Sequence, residues 1–335
     1  MVLTAGHLRL VDDYKRKEWH EERRKGIGGS DAAAVLGISP YRTPMEVWME
    51  KTGRREPEFS PQAEERMRWG TLLEGVVADE YARRYRAVLC EVPETLWHPD
   101  YPHAYAHPDR VRVPGQETKI VWDGRKLHGA DLLVEIKTTG EYSPHWGDPG
   151  TDEIPDPYLV QVQWYMGITG LQKAHVVVLF GGRKLDVYRV ERDDEFIQTA
   201  LETVEKWWER YVVGDVPPPP QTEAEAKLLW PRHRAGKTVE ATTEIEETVR
   251  RLKEVKKLAK ELEEEEAKLR NVLTAYIGEA EILASSDGTK LVTWKANKDR
   301  KVTDWKALAQ ACGADEELIA QYTQVKPGSR VLRIL

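Results

Sequence analysis

Cysteine is scarce in this chain: Cys90 and Cys312 are the two thiols among 335 residues. They stand far apart, without His or Cys neighbours at ligand spacing, which argues against a disulfide framework and against a structural zinc or iron–sulfur site, and fits a reducing compartment. Long hydrophobic runs are also missing, and none approaches the length of a membrane span. The first residues, MVLTAGHLRLVDDYKRKEW, lack the basic, apolar, small-residue order of a signal peptide. A soluble cytoplasmic protein with no membrane partner is the expectation. Asparagine is rare while Glu, Arg and loop proline are abundant, the composition associated with thermophilic proteins.

Positive charge is in deficit. The formal net charge is -7, the wrong sign for a protein that displaces counterions from phosphate. The excess acid is local, however. Residues 244–279, containing ELEEEEAKLR, are a charged helix pattern with Ile245, Val249, Leu252, Val255, Leu262, Leu269 and Leu273 roughly at helical spacing; the simplest reading is a solvated helix or an antiparallel hairpin. Basic clusters fall elsewhere, in KRKEWHEERRKG at 15–26 and in MRWG and YARRYR within 67–86. Average charge is therefore a poor guide to partners here.

What is present is enough for two domains, with 40% hydrophobic and 32% charged residues. Residues 14–53 read as a helix, a glycine turn GIGGS at 26–30, a helix from Asp31 to Leu36 with Ser30 or Asp31 as N-cap, then SPYRTP and a helix through Trp48. A long helix over 62–86 follows. Strands are expected around 87–97, 103–113, 117–122 and 130–137, with a turn at Asp123-Gly124. After a Gly- and Pro-rich loop at 140–157 come a helix over 157–170, a hairpin of Val176–Phe180 with Lys184–Arg189, and a helix over 193–213. The prolines of VPPPPQTEAEA then make a semi-rigid linker. The boundaries are 1–215, a linker over 216–237, and an extension over 238–335. That extension reads as a long helix, strand-like LVTWKA, helical DWKALAQACG and a terminal strand SRVLRIL. The fold expected is α/β, a central mixed sheet flanked by helices, with a helical and small α+β extension.

The chemistry concentrates in VEIKTT at 134–139. Alternate residues of a strand share a face, so Glu135 and Lys137 stand side by side in an otherwise apolar run. HPDRVRV at 107–113 places Asp109 at the head of another β-branched run, and Glu74 lies among Leu72, Leu73, Val76 and Val77 of the long helix. Three acids meeting would form an all-oxygen cluster suited to Mg²⁺ or Mn²⁺, with Lys137 placed to position or deprotonate a water. The bland readings are a Glu–Lys pair on a strand surface and Glu74 paired with Arg66 or Arg68. His107 reads as a surface or second-layer histidine. Trp19 and Trp69 are candidates for contact with bases.

Four blocks, EWHEERRKGIGGSDAAAVLG at 18–37, MRWGTLLEGVVADEY at 67–81, HPDR with VEIKTT, and YLVQVQWYMGITG at 158–170, resemble in this order the YqaJ-type viral recombinases, the lambda exonuclease-like branch of the PD-(D/E)-x-K nucleases. The resemblance covers about the first 213 residues. It implies a restriction-endonuclease-like core over 1–215, with Asp109 and Glu135 binding divalent ions, Glu74 completing the site and the Ile136 carbonyl as a backbone ligand. Lys137 then lies next to the attacking water, and Gln161 and Tyr165, one helical turn apart, orient Lys137 or DNA. Arg23 and Ser30 match the positions that grip a terminal 5′-phosphate. A guanidinium, a hydroxyl and glycine-turn N–H groups at a helix start form an anion site in any case.

The chain departs from the family pattern between Asp109 and Glu135, where VPGQETKIVWDGRKLHGA intervenes as an extra hairpin. Asp131 is thereby a rival to Asp109, and Asp123, by the bland reading a turn residue, a weaker one. The activity implied is Mg²⁺-dependent 5′ to 3′ digestion of linear double-stranded DNA for recombination. A single-strand annealing protein is the expected partner and a homo-oligomer is compatible. The alternatives are a DNA-binding or assembly module with little turnover, or an endonuclease of the same superfamily.

Overall fold

The structure, a computed structural model, describes residues 21–55, 60–92, 94–324, 330 and 332. The chain divides into two compact units, Met1–Glu225 and Ala226–Leu335.

In the first unit residues 21–24 are helical, and three further helices follow them. Helix α1 (Gly29–Val35) starts ahead of both expected caps, because Gly28 takes the N-cap position and no side chain caps it. The glycines are there for close approach. A Cβ on Gly29 would sit 2.7 Å from Cγ of Gln161, and one on Gly28 would sit 2.9 Å from the Tyr105 ring. Helix α2 (Pro44–Lys51) begins with a capping box between Thr43 and Glu46 and proline in its first turn. Helix α3 (Pro61–Tyr85) is capped by Ser60, which accepts the Ala63 N–H, and ends at Arg86 in the left-handed region.

Next come β1 (Val88–Cys90), β2 (Leu96–Trp97), β3 (Tyr105–Ala106), β4 (Arg110–Val113), β5 (Val121–Trp122), β6 (Leu127–His128) and β7 (Leu132–Thr139). Helix α4 (Asp156–Thr169), β8 (Lys173–Phe180), β9 (Lys184–Glu191) and α5 (Asp194–Trp207) follow, and a π-helical turn over Trp208–Val213 extends α5. The central sheet has the order β1-β4-β7-β8-β9. It is mixed: β7 and β8 run parallel and are joined through α4, while the other neighbours are antiparallel. Gly181 and Gly182, at φ +54° and +73°, turn β8 into β9. The strands expected over 87–97 and 103–113 are each split in two, and Pro108, lacking an N–H, stands in the second break. The small β5–β6 pair is the extra hairpin between Asp109 and Glu135.

Strand β7 shows why the site forms where it does. Its Leu132, Val134 and Ile136 pack in one core cluster with Val77, Ala78 and Tyr81 of α3, each buried Val, Leu or Ile side chain worth roughly 1.5–3 kcal/mol. The period of two therefore turns Leu133, Glu135 and Lys137 to the opposite face, where Gln161 of α4 reaches Glu135. Part of the expected linker is tied down. Glu225, 5% exposed, accepts hydrogen bonds from the Thr43 hydroxyl and from the N–H groups of Gln221 and Thr222, holding the proline segment and the start of α6 (Glu223–Leu229).

In the second unit, α7 (Thr243–Ile277) is one uninterrupted helix of 35 residues, capped by Thr242 and closed at Gly278. A hairpin would need a turn, and no Gly or Pro interrupts 243–277. A two-stranded ribbon of β10 (Ile282–Ala284) and β11 (Lys290–Thr293), then α8 (Trp305–Ala311) and α9 (Glu316–Gln321), complete it. The expected terminal strand SRVLRIL falls almost wholly outside the described residues. Among those described, no helix is long and apolar enough to cross a membrane.

Candidate active site

The antiparallel register pairs Arg110 with Val134, so continuing it sets Asp109 opposite Glu135 where β4 begins. Asp109 Oδ2 accepts the Ile136 N–H at 2.7 Å. Glu135 is 2% exposed. Its Oε1 accepts from Lys137 Nζ at 2.7 Å and from Gln161 Nε2 at 2.6 Å, while its Oε2 is buried with no hydrogen-bond partner among the described residues. Burial, reinforced by the neighbouring Glu135 charge, pushes the Asp109 carboxyl up to about 7. For Lys137, burial alone would weaken the ammonium, but Glu135 and Asp109 carry it above the ordinary lysine value. Lys137 is therefore a cation at neutral pH, and its Nζ also stands 5.2 Å from the centre of the Tyr158 ring.

Gln161 and Tyr165 share a face of α4, as their spacing requires. The Gln161 amide spans Glu135 and the Tyr165 hydroxyl, the latter at 3.3 Å. It thus holds the carboxylate that Lys137 also holds. Burial, with Glu135 adding to it, keeps Tyr165 protonated well beyond the ordinary phenol range.

Glu74 stands apart from the acid pair. Its Oε1 accepts from Arg110 Nη1 at 2.7 Å, and the same nitrogen donates to the Asp109 carbonyl. The cause is parity: Arg110, paired with Val134, faces α3, whereas Asp109 and Glu135 face α4. Among the described residues no three His, Cys, Asp or Glu side chains are grouped to hold a metal ion. The expected three-acid cluster is thus a two-acid pair, with Glu74 linked to it through Arg110. The rival acids are engaged elsewhere: Asp131 in a two-point ion pair with Arg112, and Asp123 with its own turn and His128 Nε2. Trp69 is 54% exposed; Trp19 lies outside the described residues.

A cavity of about 230 Å³ is lined by Arg23, Ser30, Tyr105, His107, Tyr165 and Gln161 among others, the last being the residue that bonds to Glu135. Arg23 and Ser30 are thereby brought to the same cleft as Gln161. The Tyr105 hydroxyl, in that lining, is buried and has no hydrogen-bond partner among the described residues.

Arg23 is anchored from behind by a buried ion cluster that sequence reasoning missed. Its Nη2 meets Asp31 Oδ1 at 2.9 Å and its Nε meets Glu50 Oε1 at 3.3 Å; Arg42 bonds to both acids at 2.7 and 2.5 Å, and Lys51 Nζ reaches Asp31 Oδ2 at 2.7 Å. Three cations face two carboxylates. Burial alone would raise Asp31, but Lys51, Arg23 and Arg42 hold it far below the carboxylate range. The signal available in the sequence was Asp31 heading an Ala/Val helix, and Glu50-Lys51 ending the apolar run of MEVWM.

The donor set suits a hard divalent cation. An orphaned buried oxygen on Glu135 and a neighbouring carboxyl destabilised as an anion both call for positive charge, and oxygen donors are what Mg²⁺ and Mn²⁺ take.

Residues 18–172 match the YqaJ-like viral recombinase domain. The chain is 33% identical over 276 residues to the uncharacterized protein YqaJ of Bacillus subtilis, covering 80% of each. That span exceeds the 225 residues of the first unit. Among solved structures, the alkaline exonuclease LHK-Exo from Laribacter hongkongensis is 20% identical, with TM-score 0.44, over 60% of this chain and 94% of that one. A phage-related exonuclease from Haemophilus somnus is 11% identical, with TM-score 0.37, over 57% and 96%.

Proposed function

This chain belongs to the YqaJ-like viral recombinase family, and from that membership and the cleft we propose that it is a Mg²⁺-dependent exonuclease acting on linear double-stranded DNA. The observation that carries the reading is the buried pair of Asp109 and Glu135 with Lys137 alongside, joined through Gln161 to the cleft that Arg23 and Ser30 also line.

Asp109 and Glu135 would hold the ion, with the Ile136 carbonyl as the backbone ligand the family implies. When bound, Mg²⁺ supplies Lewis acidity at the phosphorus centre and a more acidic water; Mn²⁺ has the same donor preference. Lys137 contributes a fixed positive charge and three donors, which orient a water and stabilise charge that accumulates on phosphate oxygens. Gln161 keeps the Glu135 carboxylate in place by its 2.6 Å bond. Glu74, tied to Arg110, acts on the site by fixing the strand that presents Asp109.

Arg23 and Ser30 select the substrate. A guanidinium and a hydroxyl beside the glycine turn receive a terminal 5′-phosphate, which favours ends over internal sites and 5′ to 3′ progress. The strand left behind is the substrate of a single-strand annealing protein, and a homo-oligomer enclosing the duplex would make digestion processive.

The test compares linear and covalently closed circular duplex with Mg²⁺. Linear DNA is degraded and circles persist. Discrete fragments from circles would mark an endonuclease instead, and intact linear DNA with every divalent ion would leave a binding module.

A further inference from the structure

Helix α7 leaves a long apolar seam in solvent. Ile245 is 52% exposed, Leu262 65%, Leu269 59% and Tyr276 79%. A helix of 35 residues is about 50 Å long at 1.5 Å per residue. Within its own unit α8 has 7 residues and α9 has 6, too short to cover it.

The seam has a heptad register. Taking Ile245 as position a gives Leu252, Ala259, Glu266 and Leu273 at the later a positions. The d positions are then Thr248, Val255, Leu262, Leu269 and Tyr276. Steps of three and four alternate over the whole helix, the pattern that keeps a seam facing a partner helix.

We infer that α7 forms a two-stranded antiparallel coiled coil with α7 of a second copy of this chain. The polar positions choose the orientation. A parallel in-register pair would place Glu266 against its own copy in the seam and would set Arg251 against Lys256 at the flanking g and e positions, both repulsive. Reversing one helix about a twofold axis near residues 260 and 261 overlaps Thr243–Ile277 end to end. Leu252 then lies opposite Leu269 of the partner subunit, and Ala259 opposite the partner's Leu262. Glu266 faces the partner's Val255 beside the partner's Lys256. Lys256 itself falls next to the partner's Glu263, and the twofold axis makes that attractive pair twice. No flanking position sets like charges together in this arrangement. The parallel pair's one attractive contact, Glu265 with Arg270, is offset by Arg251 against Lys256 and leaves Glu266 against its own copy, so the helix complements itself better when reversed, and a second copy is the occupant it fits.

The inference is independent of the nuclease reading, and its test needs no activity. In the full chain with Cys90 and Cys312 replaced by Ser, the Leu252→Cys/Leu269→Cys variant is oxidised mildly and run without reductant. A disulfide-linked species at twice the 38.4 kDa of one chain is expected, and neither single variant cross-links, because each thiol has a leucine opposite. Cross-linking by Leu269→Cys alone would mean a parallel pair and overturn the inference. So would a double variant that stays monomeric while maleimide titrates both thiols and the helical circular dichroism is retained. As a second reading, Lys256→Glu weakens self-association several-fold in sedimentation, and adding Glu263→Lys to the same chain restores it. Failure of the paired reversal to rescue would equally overturn the antiparallel register.

Discussion

Replacing Asp31 by Asn should destabilise the first unit severely without touching the acid pair. The Asp31 side chain is 0% exposed and receives Lys51 at 2.7 Å, Arg42 at 2.7 Å and Arg23 at 2.9 Å. Asn retains one acceptor oxygen and turns an N–H₂ donor toward cations. Lys51, whose side chain is also fully buried, is then left with Glu50 at 3.7 Å and the Arg23 carbonyl. Uncompensated buried charge of this kind costs about 3–5 kcal/mol, a large share of the about 5–15 kcal/mol that holds a domain folded. Urea unfolding at pH 7, followed by circular dichroism, measures the loss. The folded-state pKa of Asp31 is depressed, so its contribution is fully present above the unfolded value of about 4 and disappears only as pH falls toward the folded one. The difference between variant and wild type is therefore flat from pH 5 to 8. Adding Lys51→Met, which removes the stranded ammonium, recovers a substantial part of the loss. A single variant within about 1 kcal/mol of wild type would refute the claim that this cluster is a tightly coupled buried unit.

Lys137→Ala should reduce hydrolysis of linear duplex by at least about 100-fold, while fluorescence anisotropy shows DNA binding retained; undiminished hydrolysis would remove Lys137 from the mechanism. Tyr105→Phe deletes the unpartnered hydroxyl in the cleft, and the preference for 5′-phosphorylated over 5′-hydroxyl ends should fall about 10-fold. Wild type without any preference would defeat the phosphate site itself, whereas an unchanged preference in the variant would remove only Tyr105. Burial pushes the His103 imidazole down to about 4, whereas the unfolded chain takes up that proton near the ordinary value of about 6.5. Stability from this residue is full above about 6.5 and is lost as pH falls toward 4, by up to about 3 kcal/mol. His103→Phe, which keeps a ring against Trp208, should flatten that part of the urea-unfolding profile between pH 7.5 and 4.5.

The sequence carried Glu135 and Lys137 plainly, because a strand's period of two is local and a charged pair inside VEIKTT is visible without knowing its neighbours. Gln161 and Tyr165 were pointed to by the family resemblance, and their helical spacing added only that they share a face. Glu74 was harder. Its partner depends on which face of the sheet α3 covers, and that follows from Arg110 pairing with Val134, a contact between segments far apart in sequence. The ion cluster was invisible for a similar reason: Arg23, Asp31, Arg42, Glu50 and Lys51 look like ordinary surface charges until α1 and α2 pack together. The start of α1 was misjudged because Ser30 and Asp31 are good caps in isolation, whereas the close approach of Gly28 and Gly29 to Tyr105 and α4 begins the helix earlier. The long helix over Thr243–Ile277 was legible in its periodicity, and the absence of Gly and Pro decides it against the hairpin alternative, which has nowhere to turn.

Titration calorimetry of Mn²⁺ into wild type and into Asp109→Asn/Glu135→Gln distinguishes an acid pair that holds a divalent ion from one that is merely buried. Saturable binding to wild type that is abolished in the double variant, with both proteins folded by circular dichroism, is the predicted result. Equal Mn²⁺ binding by the two proteins would contradict it.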